Sequence, residues 1–260
     1  MAGSAAVHGL LFKFSKLDKT YKLNSPSPTE RGELDLLKQI NSYIVKQGGP
    51  ITVQVGKFKF INVYGANKIE GTPKADIALV CYDEKSEKFY NDCYISHKMG
   101  RDASGFQQYS GITNKADGAK AGSISKDKNV VDFLKDLTVV HKNIVEKKMR
   151  YYRVIKDAKL IGKSIYGPEF GSKIYGEDNI HLIGQGDAVL NKSGTAHTLK
   201  FSTSMNLNPD VSEFKTNDYT AIIGARYTSG RNYESGGKTY TGVRVLIMPK
   251  KLIGSKALEI

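Results

Sequence analysis

Two runs of the sequence carry residue types that could do chemistry together. Gly71-Thr72-Pro73-Lys74-Ala75-Asp76-Ile77-Ala78-Leu79 opens an apolar run with an acid, and after nineteen intervening residues the next run closes on Ser96-His97-Lys98. On neighbouring strands, Asp76 and Lys98 would meet at one sheet edge. There a carboxylate can hold Mg²⁺ or Mn²⁺ through one or two oxygens while the cation keeps waters and takes phosphate oxygens. The lysine can orient or activate the attacking water and offset charge developing on the scissile phosphate. Lys74 is placed to touch a phosphate. These are the parts that metal-assisted phosphodiester hydrolysis requires.

A second carboxylate is expected as a metal ligand. Glu33 precedes Leu36, Leu37, Ile40 and Ile44 by three, four, seven and eleven residues, so on a helix it lies on the apolar face and points inward. Glu70, close to Asp76 in sequence, is the alternate. The pairing geometry sets a condition. For Asp76 and Lys98 to share a face of an antiparallel pair, paired residue numbers must sum to an even value, which takes an odd-numbered loop or a bulge. His97, between them in parity, falls on the other face as a packed or exposed ring.

The elements that must position these residues follow from capping and periodicity. Ser27 as N-cap, Pro28 at the first helical position and Glu30 in a capping box predict a helix running to about Lys46 and stopping at Gly48-Gly49-Pro50. Residues 51–64 alternate as one strand or a hairpin broken at Gly56-Lys57. Strands over 75–81 and 89–98 flank the charged turn 83–88. A short helix is expected around Phe106–Tyr109, and a long amphipathic one over 129–149, where Val130, Phe133, Leu134, Leu137, Val140, Ile144 and Val145 make one stripe. Beyond Arg153 the composition turns to Gly, Ser, Thr and Tyr, with strands expected at 179–184, 188–190, 198–204, 219–227 and 239–247. The fold class is therefore α/β (α+β), with a first part over 1–150 and a β-rich second part over 151–260.

Composition narrows the partner. The 260 residues hold 39 Lys+Arg against 26 Asp+Glu, a formal charge of +13, which favours a polyanion because each neutralised phosphate releases a condensed counterion. DNA is the expected partner. Lys147, Lys148, Arg150 and Arg153 interleave with Tyr151 and Tyr152, and Arg226, Arg231 and Arg244 stand among Tyr227, Tyr233 and Tyr240. Such mixtures can hold phosphates and stack on bases. They equally suit a helix end whose cations complement the macrodipole and an edge sheet guarded by charge. No apolar run is long enough for a membrane helix, and the first residues lack a basic secretory lead, so no membrane and a cytoplasmic location are expected. Cys81 and Cys93 are two structural thiols rather than a disulfide framework. His181, Asp187 and His197 match no metal-ligand spacing.

Gly-x-x-Lys-x-Asp on a strand, a gap of about twenty residues and a strand ending x-x-Lys together resemble the PD-(D/E)xK nuclease superfamily, which includes restriction endonucleases, junction resolvases and phage recombination exonucleases. The resemblance covers roughly residues 27–115. It implies a restriction-endonuclease-like mixed sheet flanked by helices, with a β-rich basic extension contacting DNA. It places the metal-binding Asp on Asp76, the catalytic lysine on Lys98 and the helix-borne acid on Glu33. Ser96 stands where the family usually has Asp or Glu, as in some restriction enzymes that recruit an acid from a nearby helix. Phe106-Gln107-Gln108-Tyr109 is similar to the Gln-containing helix that follows the lysine in several branches, which gives Gln107 or Gln108 a supporting role. Cutting both strands at one site implies a possible homodimer. The expected alternative is a non-catalytic nucleic-acid-binding or virion structural protein that keeps the fold.

Overall fold

The computed structural model describes residues 28–71, 73–101, 108–112, 124, 126–203, 206–207, 220–235, 237–250 and 256–260. They fold as two compact units, one from the described residues within Met1–Arg101 and Tyr175–Val211, the other from those within Asp102–Ile174 and Ser212–Ile260. Among the described residues the first unit is a mixed sheet with one helix and the second a mixed sheet with two, in keeping with the α+β expectation.

In the first unit, helix α1 (Pro28–Lys46) packs Leu36, Leu37, Ile40 and Ile44 into the core. It ends at Gly48, whose φ of +81° suits a residue without a side chain. Ser27, the expected cap, lies outside the described residues. The alternating run resolves as the hairpin β1 (Ile51–Val55) and β2 (Phe58–Lys68), turning at Gly56-Lys57. Strands β3 (Ile77–Asp83) and β4 (Lys88–Lys98) follow. The second half of the chain returns to this sheet with β7 (Leu182–Gln185), β8 (Ala188–Ser193), β9 (Ala196–Phe201) and β10 (Asn206–Leu207). The order is β10-β7-β4-β3-β2-β1-β9-β8, with β4–β7 and β1–β9 parallel and the other neighbours antiparallel.

Glycine lets β7 lie tight against β9. A Cβ on Gly184 would meet the Phe201 ring at 1.9 Å, and Phe201 in turn stacks on His97 with ring centroids 5.7 Å apart. Gly184→Ala is therefore expected to cost about 1–3 kcal/mol by overpacking, read as a lower urea midpoint at unchanged m-value.

His181 sits among rings. It is 4% exposed, stacks on Tyr175 at 4.1 Å, meets Phe58 and Phe60 edge-on, and accepts the Tyr94 N–H at Nδ1. Burial pulls its pKa down to about 4. Asp92 Oδ1 lies 3.9 Å from Nε2, but burial pushes that carboxyl up, so the two do not behave as an ion pair. The folded pKa lies below the unfolded value of about 6.5. Between these values the unfolded chain binds the extra proton, so this contribution is complete above about pH 6.5 and is lost as pH falls towards 4, about 3 kcal/mol in all. His181→Asn, whose amide oxygen can still accept the Tyr94 N–H, is expected to flatten this part of the stability–pH curve in urea titrations.

In the second unit, β5 (Ser110–Gly111), β6 (Arg150–Val154), β11 (Ala221–Ser235), β12 (Lys238–Pro249) and β13 (Ala257–Glu259) form a sheet in the order β13-β6-β11-β12-β5. Helix α2 (Lys128–Glu146) starts at Asp127, whose carboxylate accepts the Asn129 N–H, and buries Val130, Phe133, Leu134, Leu137 and Ile144. It stops three residues before the expected Met149, because Lys148 takes φ +54° and Arg150 begins a strand. Helix α3 (Ala158–Tyr166) was not expected. Asp157 caps it by accepting from Lys159 and Leu160, and Leu160, Ile161 and Ile165 bury its inner face. The first half of the short helix expected at Phe106–Tyr109 lies outside the described residues, while Gln108 and Tyr109 are non-helical and lead into β5. No helix among the described residues is long and apolar enough to cross a membrane.

Candidate active site

Asp76 stands one residue before β3 and is clamped by its backbone. Its N–H donates to the Ile95 carbonyl at 2.9 Å, and its carbonyl accepts the Ile69 N–H at 3.0 Å. The preceding Ala75 N–H donates to Glu177 O at 2.7 Å. The acid is thus held between β2 and β4 before its side chain makes any contact.

The parity condition is met by a bulge. From the turn, Asp83 pairs with Lys88 and Leu79 with Asp92, an odd sum; beyond it Ala78 pairs with Tyr94 and Ile77 with Ile95, an even one. The extra residue is Cys93, at φ +50°, its N–H held by the Asp92 side chain at 2.8 Å. Ser96 and Lys98 therefore share the face of Asp76, as a continuous ladder from the same turn would not allow.

The side chains close the group. Asp76 Oδ2 accepts from Ser96 Oγ at 3.0 Å and from the His97 N–H at 2.6 Å. Lys98 Nζ donates to Ser96 Oγ at 2.8 Å and lies 3.9 Å from Asp76 Oδ2. The serine hydroxyl is a relay, taking a bond from the ammonium and giving one to the carboxylate. Ser96 is fully buried, whereas the Asp76 and Lys98 side chains keep about a quarter of their surface exposed, so a ligand can reach the charges but not the relay. Lys74 is partly buried beside them. Desolvation, with the Lys98 charge adding to it and Asp76 opposing, brings its pKa down to about 7.

The strand end is fixed from the other side. His97 Nε2 lies 2.8 Å from the Gly186 carbonyl, and burial lowers the ring's pKa, so His97 is a neutral, packed ring, as its parity implied. Gln185 pairs with Lys98 across β4–β7, is fully buried, and donates from Nε2 to Met99 O at 2.7 Å. Sequence reasoning gave Gln185 no part here. Its only signal was a polar residue in an apolar run, and the parallel pairing that brings it to Lys98 joins residues 87 positions apart.

Glu33 is held by a lysine of β2. Its Oε2 pairs with Lys68 Nζ at 3.2 Å, both side chains being mostly buried, and Lys68 pairs with Ile77, the residue after Asp76. Glu70 is exposed. Gln107 lies outside the described residues, and Gln108 accepts from Arg244 Nη2 at 2.7 Å in the second unit. Among the described residues no group of three His, Cys, Asp or Glu is placed to hold a metal. His181 and His197 keep separate company, the latter bonded to the Tyr43 hydroxyl at 2.9 Å. The chemistry of the donors still suits a hard cation. No described residue donates to Asp76 Oδ1, and Mg²⁺ needs only one or two carboxylates beside water and phosphate oxygens.

The basic residues divide by surroundings. Arg153 donates from Nη2 to Asp136 Oδ2 and from Nε to the Ile260 carbonyl. Lys148 Nζ lies over the Tyr227 ring at 3.1 Å from its centroid. Lys147 is exposed at the end of α2, and Arg231 is exposed in the irregular stretch between Tyr227 and Asn232. Arg244 pairs with Arg226 across β11–β12.

Two mixed sheets with three helices among the described residues, and an Asp, Ser and Lys joined at the end of an antiparallel pair, are consistent with a restriction-endonuclease-like α+β fold. The chain is similar to the type II restriction enzyme CviJI of Paramecium bursaria Chlorella virus IL3A, at 29% identity over 195 residues, covering 72% of this chain and 51% of that enzyme. It therefore spans about half the length of the relative it matches. No family model matches the chain, and no solved structure matches it.

Proposed function

We propose that the chain is a metal-dependent deoxyribonuclease that hydrolyses DNA phosphodiester bonds. The observation that carries this is the hydrogen-bonded set Asp76, Ser96 and Lys98; the similarity to a type II restriction enzyme supports it. Asp76, with Glu33 as second ligand, would hold Mg²⁺ or Mn²⁺, which when bound supplies a Lewis acid and lowers the pKa of water. Lys98 would orient the attacking water and offset charge on the phosphate in the transition state. Ser96 would aim the lysine, Gln107 would support the site, and Lys74 would contact a phosphate. Lys147, Lys148, Arg150, Arg226, Arg231 and Arg244, in the unit with the five-stranded sheet, would grip the DNA backbone. Arg153 would join them by exchanging Asp136 for a phosphate. Cleavage of both strands would call for a homodimer.

Wild-type protein is expected to nick or linearise plasmid in Mg²⁺ or Mn²⁺, to stop in EDTA and to resume when metal returns. The buried serine in place of a further acid favours one other reading, a non-catalytic DNA-binding or virion structural protein. A chain that shifts DNA at low salt but cuts with no divalent ion would establish that reading instead.

A further inference from the structure

The five-stranded sheet carries a row of like charges that stability alone does not explain. Arg226 and Arg244 are direct cross-strand partners. On the other side of β11, Ala225 pairs with Tyr151, so Arg150, one residue further along, lies abreast of Arg226. Cross-strand partners project to the same face. Three guanidinium groups therefore stand side by side on three adjacent strands, over a width of about 10 Å at the usual strand spacing.

Behind the row on this face the described neighbours are apolar. The two ranks behind it on this face are Ile222, Val154 and Met248, then Gly224, Tyr152 and Leu246. On β13 the residue beside Arg150 is Ala257, and Glu259, two residues along, faces Tyr152. Arg244 has the neutral Gln108 oxygen, and among the described residues no carboxylate pairs with Arg226 or Arg244. Burial and the charges of Arg244 and Arg150 together lower the basicity of Arg226. Like charges directly opposite one another in a sheet are destabilising. An anion across all three would reverse that repulsion, and the planar donor forks suit phosphate oxygens.

We propose that Arg150, Arg226 and Arg244 form one anion site that clamps successive backbone phosphates of a DNA duplex. A rigid row on three hydrogen-bonded strands contacts phosphates at fixed spacing, which positions the duplex without reading its sequence. The identity of the anion as DNA rests on the proposed function; the presence of an anion site does not.

The test uses the full chain in EDTA, so that nothing is cut. Binding of a short duplex is followed by fluorescence anisotropy over a salt series. Arg226→Ala and Arg244→Ala are each expected to flatten the slope of log K against log salt by about 0.9 for every phosphate that is no longer neutralised. Arg226→Lys should keep the slope while weakening binding, because the charge remains and the fork is gone. In a second arm, pyrophosphate should raise the melting temperature of the wild type and not that of the Arg226→Ala, Arg244→Ala double variant. Unchanged slopes in variants that still bind the duplex overturn the clamp and leave the nuclease reading intact. A wild type that ignores DNA but is stabilised by pyrophosphate through these arginines keeps the anion site and overturns its assignment to DNA. No response to either ligand overturns both.

Discussion

Asp76→Asn and Lys98→Met are each expected to lower plasmid cleavage about 10³-fold or more while leaving duplex binding within a factor of a few. Asp76 Oδ2 is the acceptor for the Ser96 hydroxyl and the His97 N–H and lies 3.9 Å from Lys98 Nζ. Asparagine keeps an oxygen for those donors, so the strand end should hold its shape, but it lacks the charge that a divalent cation requires of its carboxylate ligand. Methionine keeps the bulk of the lysine stem and removes the ammonium. Single-turnover cleavage, with anisotropy as the binding control, separates impaired chemistry from impaired affinity. Equal cutting by all three proteins would show that the reaction is carried elsewhere.

Ser96→Ala is expected to cost about 10- to 100-fold in cleavage, the usual scale for a group that orients a catalytic side chain without touching substrate. The serine oxygen is the 2.8 Å acceptor for Lys98 and the 3.0 Å donor to Asp76. Without it the ammonium and carboxylate keep their charges and lose the bridge that spaces them. Ser96→Thr, which retains the hydroxyl, should recover part of the loss, although its extra methyl must fit a fully buried position. A positioning role also predicts that the loss falls on the single-turnover rate and spares binding. If alanine cuts as fast as serine, Lys98 does not depend on the relay.

How far the site was legible in sequence depends on how far apart its parts lie. Asp76 and Lys98 sit on one hairpin, so residue type, spacing and strand alternation could put them together, and parity could say that an odd loop or a bulge was needed. That the bulge falls at Cys93 could not be read, since nothing marks a buried cysteine as a left-handed residue. The inward set of Glu33 followed from helical spacing, whereas its pairing with Lys68 depends on where α1 lies over β2. Gln185 and the Arg150–Arg226–Arg244 row were hidden for the same reason, because registers between β4 and β7 or between β6 and β11 join distant segments. Helix α3 escaped notice because Asp157, Leu160, Ile161 and Ile165 lie in a region whose Gly and Ser content suggested strands.

The interleaving of the two units sets an order of events during synthesis. Strand β4, carrying Ser96 and Lys98, acquires its neighbour β7 only after residues 182–185 have been made. As the nascent chain emerges, β4 must wait with one edge open while more than eighty residues, most of them belonging to the other unit, are added. Unpaired edges of this kind invite pairing with other chains. A ribosome halted shortly before β7 should therefore display a chain that captures strand-forming peptides or its own copies, and one released after β9 should not. The cell would meet the unfinished hairpin of Asp76 and Lys98 as an aggregation hazard before it met a folded protein.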